Sequence, residues 1–207
     1  MMENKDKEIF GGERVSIREA LVEMKSLSEK IIDLAYAAII FDSDDLANEV
    51  ENIEEKLDRL LYRVRLTALM AGRDPQLAEQ LLGILQVASA AEQIGDAAVS
   101  ISRLLSTNVE YRPFIPFILK GGDEIIRALM VDESSDLVNR SIGDLEVEGE
   151  TGARIIAIKR GNRWIFNVSD DTVIKPGDTL IVRGVEGGVE DLEAYCKGER
   201  RLSLIHI

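Results

Sequence analysis

The strongest constraint in this sequence is a change of hydrophobic period part-way along the chain. Over residues 17–105 the apolar side chains recur every three or four positions, the period of an α-helix, in three separate runs. Beyond residue 122 this gives way to short aliphatic runs separated by turn residues. A chain of 207 residues has room for two cores of about a hundred residues each. The change of period therefore predicts two domains, the first helical and the second α+β.

The first run, over 17–41, carries Ile17, Leu21, Met24, Ile31, Ala35 and Ala38, and a polar break at Asp42, Ser43 and Asp44 follows it. The second carries Leu46, Val50, Ile53, Leu57, Leu60 and Val64 toward Met70, with Gly72 placed to end it in the left-handed conformation. Asp74 and Pro75 supply an N-cap and a first-turn proline for the third, whose stripe runs Leu77, Leu81, Ile84, Ala88, Ala91, Gly95, Ala98 and Leu105. Helices with one apolar stripe each bury it against one another, so an antiparallel up-down-up three-helix bundle is expected. Three such stripes read as an open-sided sheet of helices, which predicts a homodimer; a monomeric bundle is the alternative.

Pro113, Pro116, Gly121 and Gly122 place a linker at 110–122, between a helical domain at 14–109 and a second domain at 123–200. In the second domain the runs 125–131, 155–158, 164–168 and 180–182 read as strands. Gly161-Asn162 is a hairpin signal and Pro176-Gly177-Asp178 a turn, so the strands should be antiparallel. Val185, Val189, Leu192 and Tyr195 are spaced for a closing helix. Residues 123–197 make a small domain of about 75 residues, which favours pairing through an exposed edge or face. Leu202, Leu204, Ile205 and Ile207 form an apolar tail with no assigned role.

Composition narrows the function classes. The 38 acidic residues outweigh 25 basic ones, giving a net charge of −13 that repels nucleic-acid backbones and anionic lipid. One cysteine, Cys196, rules out an internal disulfide, and with His206 the lone histidine, thiolate and imidazole metal sites are nearly excluded within one chain. No apolar run reaches the roughly 18 to 20 residues of a membrane span. The opening Met1 to Asp6 offers no signal-peptide core. A soluble, cytoplasmic protein is expected.

Two carboxylate pairs stand out. Glu54 and Asp58, and Glu92 and Asp96, each lie at i and i+4 beside an apolar stripe, where like charges destabilise a helix by roughly 0.2 to 0.5 kcal/mol. Neither pair has a Lys or Arg three or four residues away. Lining one groove, the four would form a hard oxygen site for a divalent or trivalent cation, the single cofactor candidate. The alternative is a solvated acidic face with Arg59, Arg63 or Arg103 reached across helices. Catalysis has little support, because no histidine, nucleophile or phosphate-cradling loop accompanies the carboxylates. In the second domain Arg160 and Arg163 flank the hairpin; they either pair with nearby acidic residues or form an anion-accepting patch for a phosphorylated small ligand.

The run Ala91-Glu92-Gln93-Ile94-Gly95-Asp96-Ala97 resembles the E-R-I-G-D signature of the PhoU family, with Gln93 at the arginine position, and Glu54 to Asp58 resembles the partner ExxxD. In that family the three-helix unit occurs twice per chain, and its carboxylates face metal. A single unit here implies that two chains pair. The series Val131, Ser134, Leu137, Val138, Ile142-Gly143-Asp144-Leu145, Gly152, Ile155, Ala157-Ile158, Arg160-Gly161, Ile174-Lys175-Pro176-Gly177-Asp178, Leu180, Val182 and Gly184 resembles the TrkA C-terminal domain, a small αβ sandwich. Asn139 stands where that family often has glycine. The resemblance implies a dimeric sensor of a small ligand, in some members a cyclic dinucleotide, attached to potassium transport. No GxGxxG follows a strand, so no Rossmann domain accompanies it. The expected function is a non-enzymatic regulatory partner of a separate membrane cation channel or transporter subunit. A metal-binding PhoU-like signalling protein of phosphate or ion homeostasis is the alternative, and a carboxylate-based metallohydrolase a third.

Overall fold

The computed structural model describes residues 16–71, 75–106 and 123–200. The expected linker at 110–122, Gly72, Asp74, the apolar tail and His206 lie outside the described residues. The chain divides into two compact units between Thr107 and Asn108.

The first unit is the expected set of three long helices: α1 (Ile17–Phe41), α2 (Asp44–Ala71) and α3 (Pro75–Ser102), followed by a 3-10 turn at Arg103–Ser106. A capping box starts α1: the Ser16 hydroxyl accepts from Glu19 N at 3.2 Å while Ser16 N donates to the Glu19 carboxylate at 2.7 Å. The break before α2 is shorter than the sequence suggests. Asp42 takes the left-handed conformation at φ 51°, Ser43 Oγ accepts from Leu46 N, and Asp44 already belongs to α2. Pro75 opens α3 at the position its fixed φ suits.

One expectation is overturned. The helices do not form an open sheet, because each packs against both of the others and closes a triangular bundle. Met24, Ile31, Leu34, Leu46, Val50, Leu57 and Ala88 have no exposed surface. The small residues of α3 explain the closure. A Cβ on Gly95 would lie 2.9 Å from Leu57 Cδ1 and 3.9 Å from Ile31 Cδ1, so α1 and α2 both reach α3 at this level.

The second unit runs β1 (Glu124–Met130), α4 (Ile142–Leu145), α5 (Val147–Thr151), β2 (Ala153–Arg160), β3 (Arg163–Ile165), β4 (Thr179–Val185) and α6 (Glu186–Cys196). All strand pairs are antiparallel, as expected, in the order β1-β4-β2-β3. Strand β3 ends at Ile165 rather than Val168. A longer β3 would pair with residues 155–157 of β2, where a register shift between Ile155 and Ala157 bends the partner away. Helix α6 and the short helices cover one sheet face over Leu129, Val131, Leu137, Ile158, Leu180, Val182, Val189, Leu192 and Cys196. Ser135 Oγ donates to Tyr195 O at 2.7 Å and Asp132 N to Cys196 O at 2.9 Å, which ties the segment after β1 to the end of α6. Among the described residues no helix is long and apolar enough to cross a membrane.

Candidate functional site

The antiparallel pairing of α2 and α3 brings the two carboxylate pairs into one field. Burial raises the pKa of Glu54, and the charges of Asp58, Asp96 and Glu55 raise it further, while Arg103 opposes them. Glu92 is raised by burial, then by Asp96 and Asp58, with Arg65 opposing. Each glutamate therefore feels the aspartate of the facing helix as well as that of its own. Gly95 is the residue that makes this possible, since its missing side chain admits Glu54 Cγ to within 3.8 Å of the Cβ position. Of the basic residues expected to reach the pairs across helices, Arg103 acts on Glu54, while Arg59 pairs with Glu55 on its own helix at 3.4 Å; Arg65 donates to Ser89 Oγ across α2 and α3 at 3.3 Å. Four carboxylates have the donor chemistry of a hard-cation site. Among the described residues no three His, Cys, Asp or Glu side chains converge on one point as placed.

In the αβ unit the hairpin places Arg160 and Arg163 directly opposite one another across Gly161-Asn162, with Gly161 at φ 59°. Their roles then diverge. Arg160 Nε and Nη2 donate to Asp178 Oδ1 and Oδ2 at 2.7 and 2.8 Å, and Nη2 also donates to Val173 O at 2.8 Å. Asp178 has no exposed side-chain surface, and its Oδ2 also accepts from Lys175 N at 2.8 Å. This forked pair holds the Arg160 guanidinium above its ordinary pKa. The Arg163 side chain is exposed and makes no hydrogen bond or ion pair among the described residues. The candidate anion-accepting patch thus has one committed cation and one open one.

Sequence reasoning treated Asp178 as a turn residue and did not see it as Arg160's partner. The signal was its place at the mouth of β4, one strand away from the end of β2. It also passed over the stacked rings of Trp164 and Phe166, 5.6 Å apart, with Lys159 Nζ 5.3 Å from the Trp164 ring. Strand alternation puts Lys159 and Trp164 on the face opposite Arg160 and Arg163. Asn139, in the place of a glycine, keeps the left-handed conformation at φ 62°, and its Oδ1 accepts from Lys175 Nζ at 2.9 Å. The turn survives the exchange because asparagine tolerates this region. Cys196 is buried and its thiol is pushed up to about 12, which makes it chemically inert.

The described residues thus form a three-helix bundle with paired acidic motifs and a four-stranded antiparallel sheet backed by α6. Two family models match, one after the other: residues 21–105 match the PhoU domain and residues 126–197 match the TrkA-C domain. Probable potassium channel protein 2 of Methanocaldococcus jannaschii is 29% identical over 76 residues, covering 37% of this chain and 22% of that protein. Potassium channel protein 1 of the same organism is 27% identical over 94 residues, covering 45% and 28%. The chain thus spans less than a third of the length of the curated relatives it matches. Among solved structures, the RCK_C domain dimer of S. agalactiae BusR in complex with c-di-AMP is 30% identical, covers 37% of this chain and 95% of its own, and superposes with a TM-score of 0.35.

Two predictions follow from the charges. Arg160→Ala strands a buried carboxylate, so urea denaturation followed by the fluorescence of Trp164 should show a loss of about 3 kcal/mol, whereas Arg160→Met with Asp178→Leu should lose less than the single change. For Glu54 and Glu92 the folded state raises the pKa above its unfolded value. Their protonated forms therefore favour the fold, and the benefit is lost as pH rises through the raised values. Glu54→Gln or Glu92→Gln should raise the melting temperature at pH 7 by the equivalent of about 0.5 kcal/mol. That gain should vanish toward about pH 4, and a gain independent of pH would refute the assignment.

Proposed function

We propose that this protein is a non-enzymatic, cytoplasmic regulatory partner of a potassium or other cation transport system, in which the TrkA-C domain senses a small anionic ligand as a homodimer. The observation that carries the reading is the TrkA-C match over 126–197, supported by two relatives named as potassium channel proteins. In this reading transport itself is carried out by a membrane-embedded channel or transporter. Arg163 is the cation available to an anionic ligand, because Arg160 is held by Asp178. A ligand alters such a regulator only through its differential affinity for two arrangements, typically about 1 to 3 kcal/mol. Titration calorimetry of the full chain with a cyclic dinucleotide, ATP and NAD should find saturable binding of one of them, weakened by Arg163→Ala. Absence of heat with all three and with phosphate would remove the sensing assignment.

A second reading, a metal-binding signalling protein like PhoU, draws on the mutual influence of Glu54, Asp58, Glu92 and Asp96 across α2 and α3. A cation would relieve their repulsion after the side chains rearrange. Protein purified without chelator or affinity metal should then contain stoichiometric iron, zinc or manganese by elemental analysis, and Asp58→Asn with Asp96→Asn should abolish it. Metal-free protein that takes up none on dialysis would leave the sensor reading alone.

A further inference from the structure

Helix α3 has a second apolar stripe that the bundle does not use. Gly83, Val87, Ala90, Ile94, Ala97, Ile101 and, in the following turn, Leu104 recur at alternating steps of four and three. This stripe lies beside the buried one of Ala88, Ala91, Gly95 and Ala98, and it faces solvent. Val87 is 62% exposed, Ile94 37% and Leu104 41%, Gly83, Ala90 and Ala97 are exposed as well, and Ile101 is half-buried. From Gln80 to Ser102 the helix carries two charged residues, Glu92 and Asp96; Glu92 feels Asp58 of α2, and Asp96 acts on Glu54 there, on the other side of the helix from the stripe. Glu79 bounds the stripe one turn before Gly83. The outer positions of α2 are charged from Glu51 to Arg59 (Glu51, Glu55, Lys56, Asp58, Arg59), and its exposed Tyr62, Leu69 and Met70 lie toward its far end, interrupted by Arg65.

We propose that this face is a homodimer contact in which α3 packs antiparallel against α3 of a second copy. Small residues occupy every seventh position at 83, 90 and 97, and β-branched residues occupy 87, 94 and 101. A two-fold axis passing at residue 92 sets Gly83 against Ile101, Val87 against Ala97 and Ala90 against Ile94. Each large side chain then meets a small one, along the whole stripe and in this register. Small residues on that spacing allow interaxial separations near the short end of about 8 to 10 Å. Gly83 fits the same geometry. A Cβ there would meet nothing within 4 Å, so nothing in the described bundle requires a glycine that costs a helix interior about 1 kcal/mol relative to alanine. An approaching Ile101 would require it.

Charge leaves this face open to a second copy. Chains of net charge −13 repel one another, and this is a face along which they meet without opposing ionised side chains. The stripe from 83 to 101 is about 28 Å long at 1.5 Å per residue. A contact of that length is modest, so the pairing should depend on concentration in the micromolar range.

The register supplies the test. Val87→Cys with Ala97→Cys in the full chain should give a covalent dimer on mild oxidation, whereas Val87→Cys alone should not, because two copies of residue 87 lie about 15 Å apart along the axis. Cys196 is buried and does not interfere. Adding Ile94→Glu to the double-cysteine chain should lower the cross-linking yield about tenfold by setting two carboxylates beside the axis. All three positions are exposed, and circular dichroism should confirm that each variant folds. Cross-linking by the single variant as readily as by the double, or by neither, would overturn the proposal. The readout is local to α3, so dimerisation through the TrkA-C domain neither mimics nor masks it.

Discussion

A carboxylate with no access to water must be given its donors by its own chain, and the αβ unit is arranged to do this for Asp178. The side chain sits at the entry to β4, where the Pro176-Gly177 turn presents Lys175 N and the end of β2 presents the Arg160 fork. Three parts of the fold are tied at that point: the 173–178 loop through Val173 O and Lys175 N, the β2 terminus, and the first residues of β4. The β2–β3 hairpin begins immediately after Arg160. Its open arginine is therefore carried on a rigid mount, while the committed one forms the mount itself. A buried ion pair adds little net stability compared with an apolar pair of the same shape, so its value here is the fixed placement of neighbouring groups.

The helical unit works under a different constraint, the sharing of one helix among several demands. One face of α3 closes the core through Ala88, Ala91, Gly95 and Ala98; an adjoining face carries Glu92 and Asp96 toward α2; the remainder is apolar and exposed. Small residues recur on the first and third faces for the same reason, the close approach of another backbone. At Gly95 the approaching groups are visible, since a Cβ would press on Leu57. The raised pKa values of Glu54 and Glu92 follow from this closeness. Burial comes first and repulsion second, and both exist because the α2–α3 gap is narrow.

Helix positions, strand pairing and the two-domain division were legible in the sequence because hydrophobic period and turn residues encode them locally. Helix α1 falls at Ile17–Phe41 as its stripe indicates, and Asp42 ends it. What was not legible depends on contacts distant in sequence. Three amphipathic stripes do not distinguish an open layer from a triangle, and the decision falls to side-chain volumes such as Gly95 against Leu57. The length of β3 is set by a bulge in its partner, which no feature of residues 164–168 reveals. Arg160 and Arg163 look equivalent in sequence, yet a partner 18 positions away engages one and not the other. Glycine patterns were read for turns and core packing, whereas Gly83 on the outer side of α3 has neither use.

The two proposed contacts place a condition on each other. A TrkA-C domain that pairs about a two-fold axis and an α3 face that pairs about another can both be satisfied within one dimer only when the two axes coincide. When they do, each contact raises the effective concentration for the other, and two modest interfaces hold together more firmly than either alone. When they do not, the second contact must join a third chain, and the assembly grows instead of closing. Any change in the relative orientation of the paired sensor domains alters whether the α3 stripes can meet in register. A helical contact sensitive to displacements of about half a heptad is a discriminating reader of such a change, because moving the register by three residues sets Ile94 against Val87, large against large, and the fit is lost.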